Sequence, residues 1–231
     1  QAGQTYQYAY TAAAGSGYSP RSQFTDLVIT GPQGYRRTLT YDVVGAPNQH
    51  QLIRSDTDAL GQRTEYTYTG NRVASVTFPE GNKVFFSYDD NGNITQKRTQ
   101  AKPGSSLTDK IERAVYPSPA SCTGLLCYRP LYTIDANGQR TDYTFSAEHG
   151  GLLTRTEPAD AQGRRRVTTH TYSLIQGMYR RTRTEVCADT GCTANAVAIT
   201  DYTYWGATGL VASETRRNLA GTEQLTTTYT Y

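Results

Sequence analysis

One eleven-residue phrase occurs twice in this chain, and no other feature limits the fold so strongly. Asp58-Ala59-Leu60-Gly61-Gln62-Arg63-Thr64-Glu65-Tyr66-Thr67-Tyr68 returns as Asp135-Ala136-Asn137-Gly138-Gln139-Arg140-Thr141-Asp142-Tyr143-Thr144-Phe145. Eight of the eleven positions are identical, and Glu/Asp and Tyr/Phe keep their chemistry at two of the others. Chance likeness between Thr-rich strands is common, but a match that includes polar turn residues and a Gly is not. Weaker copies begin at Gly81, at Asp160 with Gly163, and at Gly221. Gly61 and Gly81 are 20 residues apart, and Gly138 and Gly163 are 25 apart. The longer gap from Gly81 to Gly138 holds a degenerate copy or an insertion, placed at 100–134. Residues 1–33 fit the pattern less well. The plainer alternative, a sandwich of unrelated strands, leaves the repetition unexplained.

Each copy reads as a turn at Gly followed by aromatic/Thr alternation. The side-chain period of a strand is two, so Tyr66 and Tyr68 share one face and Thr67 takes the other. Phe86/Tyr88, Tyr143/Phe145 and Tyr202/Tyr204 repeat the placement, as do Tyr6/Tyr8/Tyr10 near the start. A second turn such as Asn91-Gly92 suits a tight hairpin. A shorter strand with an aliphatic anchor then follows: Val73 and Val76, Ile94, Leu152 and Leu153, or Leu210 and Val211. Composition agrees. There are 19 Tyr and one Met, and only 19% of residues are charged, which favours pleated, half-buried strands over long amphipathic helices. Disordered chains are poor in aromatic residues. One copy cannot bury its aromatic face, whereas stacked copies give each Tyr cross-strand neighbours. The expectation is an all-β chain, a single array over 1–231 of tandem antiparallel β-hairpin repeats in a twisted, spiralling open sheet.

The pattern Gly-x-x-Thr-x-Tyr-x-Tyr-Asp-x-x-Gly-Asn-Ile resembles the YD-repeat, or Rhs-repeat, family. The nearest local matches are Phe86-Ser87-Tyr88-Asp89-Asp90-Asn91-Gly92-Asn93-Ile94 and Leu39-Thr40-Tyr41-Asp42. Gly61 to Val73 fits as well, with Thr69-Gly70-Asn71-Arg72 in place of the Asp-x-x-Gly turn. The repeat-defining positions are therefore Gly61, Tyr66, Tyr68, Gly81, Tyr88, Asp89, Gly92, Gly138, Tyr143, Gly163, Tyr202 and Tyr204. The family includes bacterial Rhs and wall-associated proteins, toxin-complex shells and teneurins. The resemblance implies a partial shell in which hairpins wind around a toxin or present a large surface. The family's self-cleaving shells carry an Asp-Pro motif near their C-terminal end; this chain has no Asp-Pro pair. Its copies are also too few to close a shell, so encapsulation would belong to a parent protein. The first residue is not Met, no signal peptide is recognisable, and the last residues end in strand pattern. These features read as an excised piece.

Four cysteines form two local pairs, Cys122 with Cys127 and Cys187 with Cys192, each with four intervening residues in a turn-rich stretch. Two small disulfide loops are the simplest reading, with a four-thiol zinc site or free thiols as alternatives. Disulfides would place the chain in the periplasm, at the cell surface or outside the cell.

No nucleophile elbow, phosphate loop, zincin motif or Cys-x-x-Cys is present. Asp89-Asp90-Asn91-Gly92-Asn93 begins like a calcium loop, but the twelfth position is Gln100 where a Glu is needed. A hairpin turn with solvated Asp is the expectation there. His50, His149 and His170 share no spacing that suggests a metal or a catalytic group. Arg164-Arg165-Arg166, Arg180-Arg181-Thr182-Arg183 and Arg216-Arg217 sit among acidic residues. At a net charge of +3 they read as cross-strand ion pairs and not as a nucleic-acid patch. No apolar run is long enough to span a bilayer.

The leading functional reading is a non-catalytic scaffold segment, with no cofactor and no metal. Its partners would be further repeats of the parent, or identical chains meeting through sheet edges. A carbohydrate- or partner-binding module using the Tyr-rich face is the alternative. An enzyme acting on glycans would need a carboxylate pair that the sequence does not reveal.

Overall fold

The computed structural model describes residues 4–12, 24–44, 50–189, 196–206 and 208–231. Among them, 17 strands are assigned to one open antiparallel sheet, and the paired neighbours are consecutive in the chain. The all-β expectation holds.

Contacts divide the chain into two compact units. The first comprises residues 1–87 and 96–111. It holds β1 (Gln7–Ala12), β2 (Phe24–Thr30), β3 (Arg36–Val44), β4 (His50–Thr57), β5 (Arg63–Thr69), β6 (Arg72–Thr77) and most of β7 (Lys83–Tyr88) and β8 (Ile94–Gln100). The second comprises residues 88–95 and 112–231. It takes most of β9 (Lys110–Val115), then β10 (Tyr132–Ile134), β11 (Arg140–Phe145), β12 (Leu152–Ala159), β13 (Arg165–Ile175), β14 (Met178–Cys187), β15 (Ala196–Tyr204), β16 (Val211–Arg217) and β17 (Gln224–Thr228). The stretch 100–134, expected as an insertion or degenerate copy, contains β9 and β10. The long connection between them carries a short 3-10 turn at Gly124–Tyr128.

The alternation that the Thr/Tyr pattern requires is clear in β5, whereas Tyr6, Tyr8 and Tyr10 are all exposed. In β5, Tyr66 and Tyr68 are half-buried while Glu65, Thr67 and Thr69 are exposed. The aliphatic anchors are less uniform. Val73, Val76 and Val211 are half-buried, but Ile94 is 42% exposed and Leu210 is 43% exposed. Ile94 opens its strand directly after a turn, and Leu210 lies just outside β16, so neither sits where neighbouring strands can cover it.

Two hairpins close with two-residue turns, at Gly70-Asn71 and Gln176-Gly177. Gln176 and Gly177 both have positive φ (53° and 74°), as a type I′ turn demands. Asn91-Gly92 does not make such a two-residue turn. Gly92 instead holds the left-handed position of a longer loop, because its N–H donates to the Asp89 carbonyl and the Asp89 N–H to the Asn93 carbonyl.

The interior is thin. Among the described residues, the buried apolar side chains are Leu39, Val167, Cys187 and Ile199, with Cys187 against Ile199. A single sheet has no opposing layer to bury it, so cross-strand pairs must carry much of the stabilisation, at about 0.2–1 kcal/mol each.

Candidate functional site: the tyrosine ladder

The Asp of each motif builds its own turn. Asp58 Oδ1 accepts the N–H groups of Leu60 and Gln62, both at 2.9 Å. The Gly61 N–H donates to the Asp58 carbonyl, and Gly61 sits at φ +77°. Asp135 repeats this with Asn137, Gln139 and Gly138 (φ +79°), and Asp160 repeats it with Gln162, Arg164 and Gly163 (φ +78°). Gly92 and Gly81 take the same backbone role at φ +87° and +84°. Only Gly reaches this region without a side-chain penalty. The Asp side chain supplies acceptors that the turn backbone lacks.

Further along five of the strands there is a second recurrent device. At Thr40/Tyr41, Thr67/Tyr68, Thr144/Phe145, Thr171/Tyr172 and Thr203/Tyr204 the register slips by one. The partner strand carries the extra residue: Arg54, Ala74, Leu153, Thr182 and Ala212 respectively. Beside four of these bulges a hydroxyl pair crosses the strands: Thr40 to Ser55 (2.7 Å), Thr67 to Ser75 (2.7 Å), Thr144 to Thr154 (2.6 Å) and Thr203 to Ser213 (2.7 Å). A bulge twists and bends the strand locally and frees a backbone carbonyl.

That carbonyl is where the tyrosines act. The Tyr68 hydroxyl donates to the Ile53 carbonyl at 2.7 Å, and Ile53 faces Tyr41 across the preceding bulge. In the second unit, Tyr172 donates to Leu152 (3.1 Å), which faces Phe145, and Tyr204 donates to Arg181 (2.6 Å), which faces Tyr172. Each hydroxyl therefore reaches back one hairpin. Burial pushes the Tyr68 and Tyr204 hydroxyls above the usual phenol range, which keeps them protonated donors.

The remaining repeat-defining residues spread around this ladder. The Tyr143 hydroxyl pairs with Thr133 at 3.2 Å, and its ring stacks on Phe145. Tyr66 and Tyr88 are half-buried on β5 and β7, and the Arg181 guanidinium lies over the Tyr202 ring. Asp89 accepts both the backbone and the side-chain amide of Asn93, each at 2.8 Å. Burial would raise the Asp89 carboxyl, but these hydrogen bonds outweigh it and hold it below the usual range. Its carboxylate is thus part of the turn. Among the described residues, no group of three or more His, Cys, Asp or Glu is placed to hold a metal ion.

The arginines meet acids on the sheet. Arg183 and Arg217 both reach Asp201, Arg165 reaches Asp142 across β12, and Arg164 and Arg216 pair with Asp160 and Glu214. His149 stacks on Tyr179 and meets Tyr172 at a tilt, with ring centroids at 4.5 and 4.6 Å, and accepts the Gly151 N–H. His170 Nδ1 lies 3.0 Å from Thr184 Oγ1; burial, helped by the charge of Arg181, lowers its pKa. The His50 side chain lies outside what the structure describes. Cys122 and Cys127 form a disulfide. Cys187 is also disulfide-bonded, and Cys192 lies outside the described residues.

The sequence did not expose the hydroxyl pairs, the bulges or the targets of the tyrosine hydroxyls. The Asp-x-x-Gly spacing does signal the turn role of Asp58, Asp135 and Asp160. The bulges lie on partner strands of varied sequence, where no fixed spacing marks them.

A protein-family model described as RHS Repeat matches residues 48–83. Residues 48–83 are thus similar to an RHS repeat. The matched span runs through β4, β5 and β6 and the turn into β7, so it contains one complete set of the devices described above. Outside it, the same Asp-turn recurs at Asp135 and Asp160, and the same bulge at Phe145, Tyr172 and Tyr204. No curated protein matches the chain.

Among solved structures, the crystal structure of TcdB2-TccC3 aligns at 11% identity and a TM-score of 0.41, over 96% of this chain and 15% of that one. A porin-like protein from Bacteroides uniformis aligns at 14% identity and a TM-score of 0.36, over 87% of this chain and 61% of that one. The Photorhabdus luminescens Tc holotoxin pore aligns at 14% identity and a TM-score of 0.28, over 93% and 14%. These overlaps are too loose to fix a shared fold. The chain spans less than two thirds of the length of each.

Proposed function

We propose that this chain is a non-catalytic structural segment of a larger Rhs-repeat protein, serving as wall or spacer in the periplasm, at the cell surface or outside the cell. One observation carries the reading: the side chains that recur with the repeat spend their hydrogen bonds on the sheet itself. The Asp builds the turn, the Thr crosses to the next strand, and the Tyr closes the bulge of the hairpin before. A catalytic or ligand-binding repeat would direct at least one recurrent polar group outward. At Tyr68, Tyr172 and Tyr204 the carbohydrate reading loses its motive, because those hydroxyls are spent on carbonyl capture.

Further repeats of the parent, or further chains, are the partners this role implies, and enclosure of a toxin is a task for the parent as a whole. Protease protection of the parent's remaining segments tests the role. Deleting residues 48–83 should expose those segments to cleavage. Unchanged protection would remove the wall function.

A further inference from the structure

The connection between β9 and β10 is the one described segment where a covalent cross-link meets the turns of other hairpins. It runs from Tyr116 to Leu131 within the second unit. Such long connections are uncommon unless they have a job. Its Cys127 carbonyl accepts the Asn93 side-chain amide at 2.8 Å, and the same amide donates to Asp89 Oδ2 at 2.8 Å. Asn93 is 9% exposed, one of the few buried polar side chains in the described chain. On the other side, Leu125 lies against Gly150, where an added Cβ would come within 3.1 Å of the Leu125 side chain. The Arg129 guanidinium sits 5.5 Å from the Phe145 ring centroid. The loop therefore clamps two turns, 89–93 before it and 146–151 after it.

The Cys122–Cys127 disulfide ties off the hexapeptide that makes both contacts. Around that ring the backbone is held by the Cys122 N–H to the Ser118 carbonyl, the Leu126 N–H to the Thr123 carbonyl and the Arg129 N–H to the Leu126 carbonyl. Cys122 Sγ is part of an exposed contact with the Pro119 carbonyl at 3.9 Å, and both Cys122 and Cys127 are half-exposed. Cys187, by contrast, is 0% exposed. Attack on a disulfide sulfur requires access for the incoming thiolate.

The geometry points to Cys122–Cys127 as a thiol-exchange site that opens the clamp. A small dithiol is the co-reactant. Its thiolate attacks Cys122 Sγ, the S–S bond breaks, and Cys127 leaves as a thiolate that takes up a proton. The second thiol of the reagent then attacks the mixed disulfide, Cys122 leaves and is protonated, and the reagent departs as a cyclic disulfide. Two electrons pass from reagent to protein. With the ring open, the Cys127 carbonyl is no longer fixed toward Asn93, and the buried amide loses that partner. The turns at 89–93 and 146–151 then open together. This inference does not depend on the wall function proposed above.

Dithiothreitol treatment of the folded chain, followed by iodoacetamide and peptide mass mapping, reads the chemistry. Hydrogen exchange on the same samples reads the clamp. The expected result is carbamidomethylation of Cys122 and Cys127 but not of Cys187. Amide exchange should be at least about tenfold faster over 89–93, 122–129 and 146–151, with the remainder of the second unit unchanged. In Asn93→Ala, exchange over 89–93 should already be fast before reduction. Three results would overturn the idea: no labelling of Cys122 and Cys127, labelling with unchanged exchange, or labelling of Cys187 at the same rate with loss of the whole fold.

Discussion

The two copies of the eleven-residue motif fold into the same turn and then attach to their surroundings differently. Asp58 and Asp135 each accept two turn amides, and Gly61 and Gly138 sit within 2° of each other in φ, at +77° and +79°. Both strands then bulge their partner at the same step, after Thr67 and after Thr144. Beyond that the copies part. Tyr68 donates its hydroxyl to the Ile53 carbonyl, whereas Phe145 has none to give and is held by the Tyr143 ring and the Arg129 guanidinium. The acid after the Thr differs as well. Glu65 pairs with Arg63 of its own strand, whereas Asp142 holds both Arg140 of its own strand and Arg165 two strands on. The turn is a local device and transfers whole. The strand's attachments are made with neighbours, so they change with context.

The largest effect should test the shared half. Gly61→Ala and Gly138→Ala each place a side chain at positive φ, at a cost of about 1–3 kcal/mol. No atom lies within 4 Å of the added Cβ at either site, so the cost is backbone strain alone and should be equal in the two copies. Thermal or denaturant unfolding of the two variants checks this; unequal losses would show that the turn is not self-contained.

The next effect should separate the copies. Tyr68→Phe removes one donor and leaves a part-buried carbonyl unpaired, so a loss of about 0.5–1.5 kcal/mol is expected. Tyr172→Phe and Tyr204→Phe should cost similar amounts, since they make the same bond. Phe145→Tyr should be nearly neutral by the same measurement, because its hairpin is fastened by ring contacts. Equal responses to all four would erase the distinction.

The smallest effect concerns pH. Burial raises the Asp142 carboxyl, but hydrogen bonds from Arg140 and Arg165 more than offset it, so its pKa falls below the ordinary carboxylate value of 3.8. Asp160 is lowered too, first by the Arg164 backbone amide. A group whose folded pKa is depressed adds stability above its unfolded pKa and loses it as pH falls through the folded value. The second unit should therefore weaken as pH drops below the ordinary carboxylate range. Asp142→Asn should flatten that part of the profile of Tm against pH.

Much of this was legible in the letters. Gly61, Gly138 and Gly163 mark turns because few other residues fit there, and Tyr66 and Tyr68 declare a shared face by their spacing. The longer loop at Gly92 was not legible. An Asn-Gly pair suits a two-residue turn equally well, and the choice was made by Asp89, which accepts from Asn93. Nor could Ile94 and Leu210 be known as exposed, since their burial depends on which neighbours reach a strand's end.

By itself the sequence determined the elements: strands from Thr/Tyr alternation, turns from Asp-x-x-Gly, and repetition from the recurring phrase. These are properties of contacts within a few residues, where one local geometry suffices. Only the tertiary structure decided which carbonyl each Tyr hydroxyl reaches, which acid each Arg finds, and how the Cys122–Cys127 ring bears on Asn93. The carbonyls that the Tyr hydroxyls reach lie 15 to 23 residues away along the chain, and the Cys127 carbonyl lies 34 from Asn93. Register and bulges bring them together, and a one-residue slip in register would give every side chain a different neighbour.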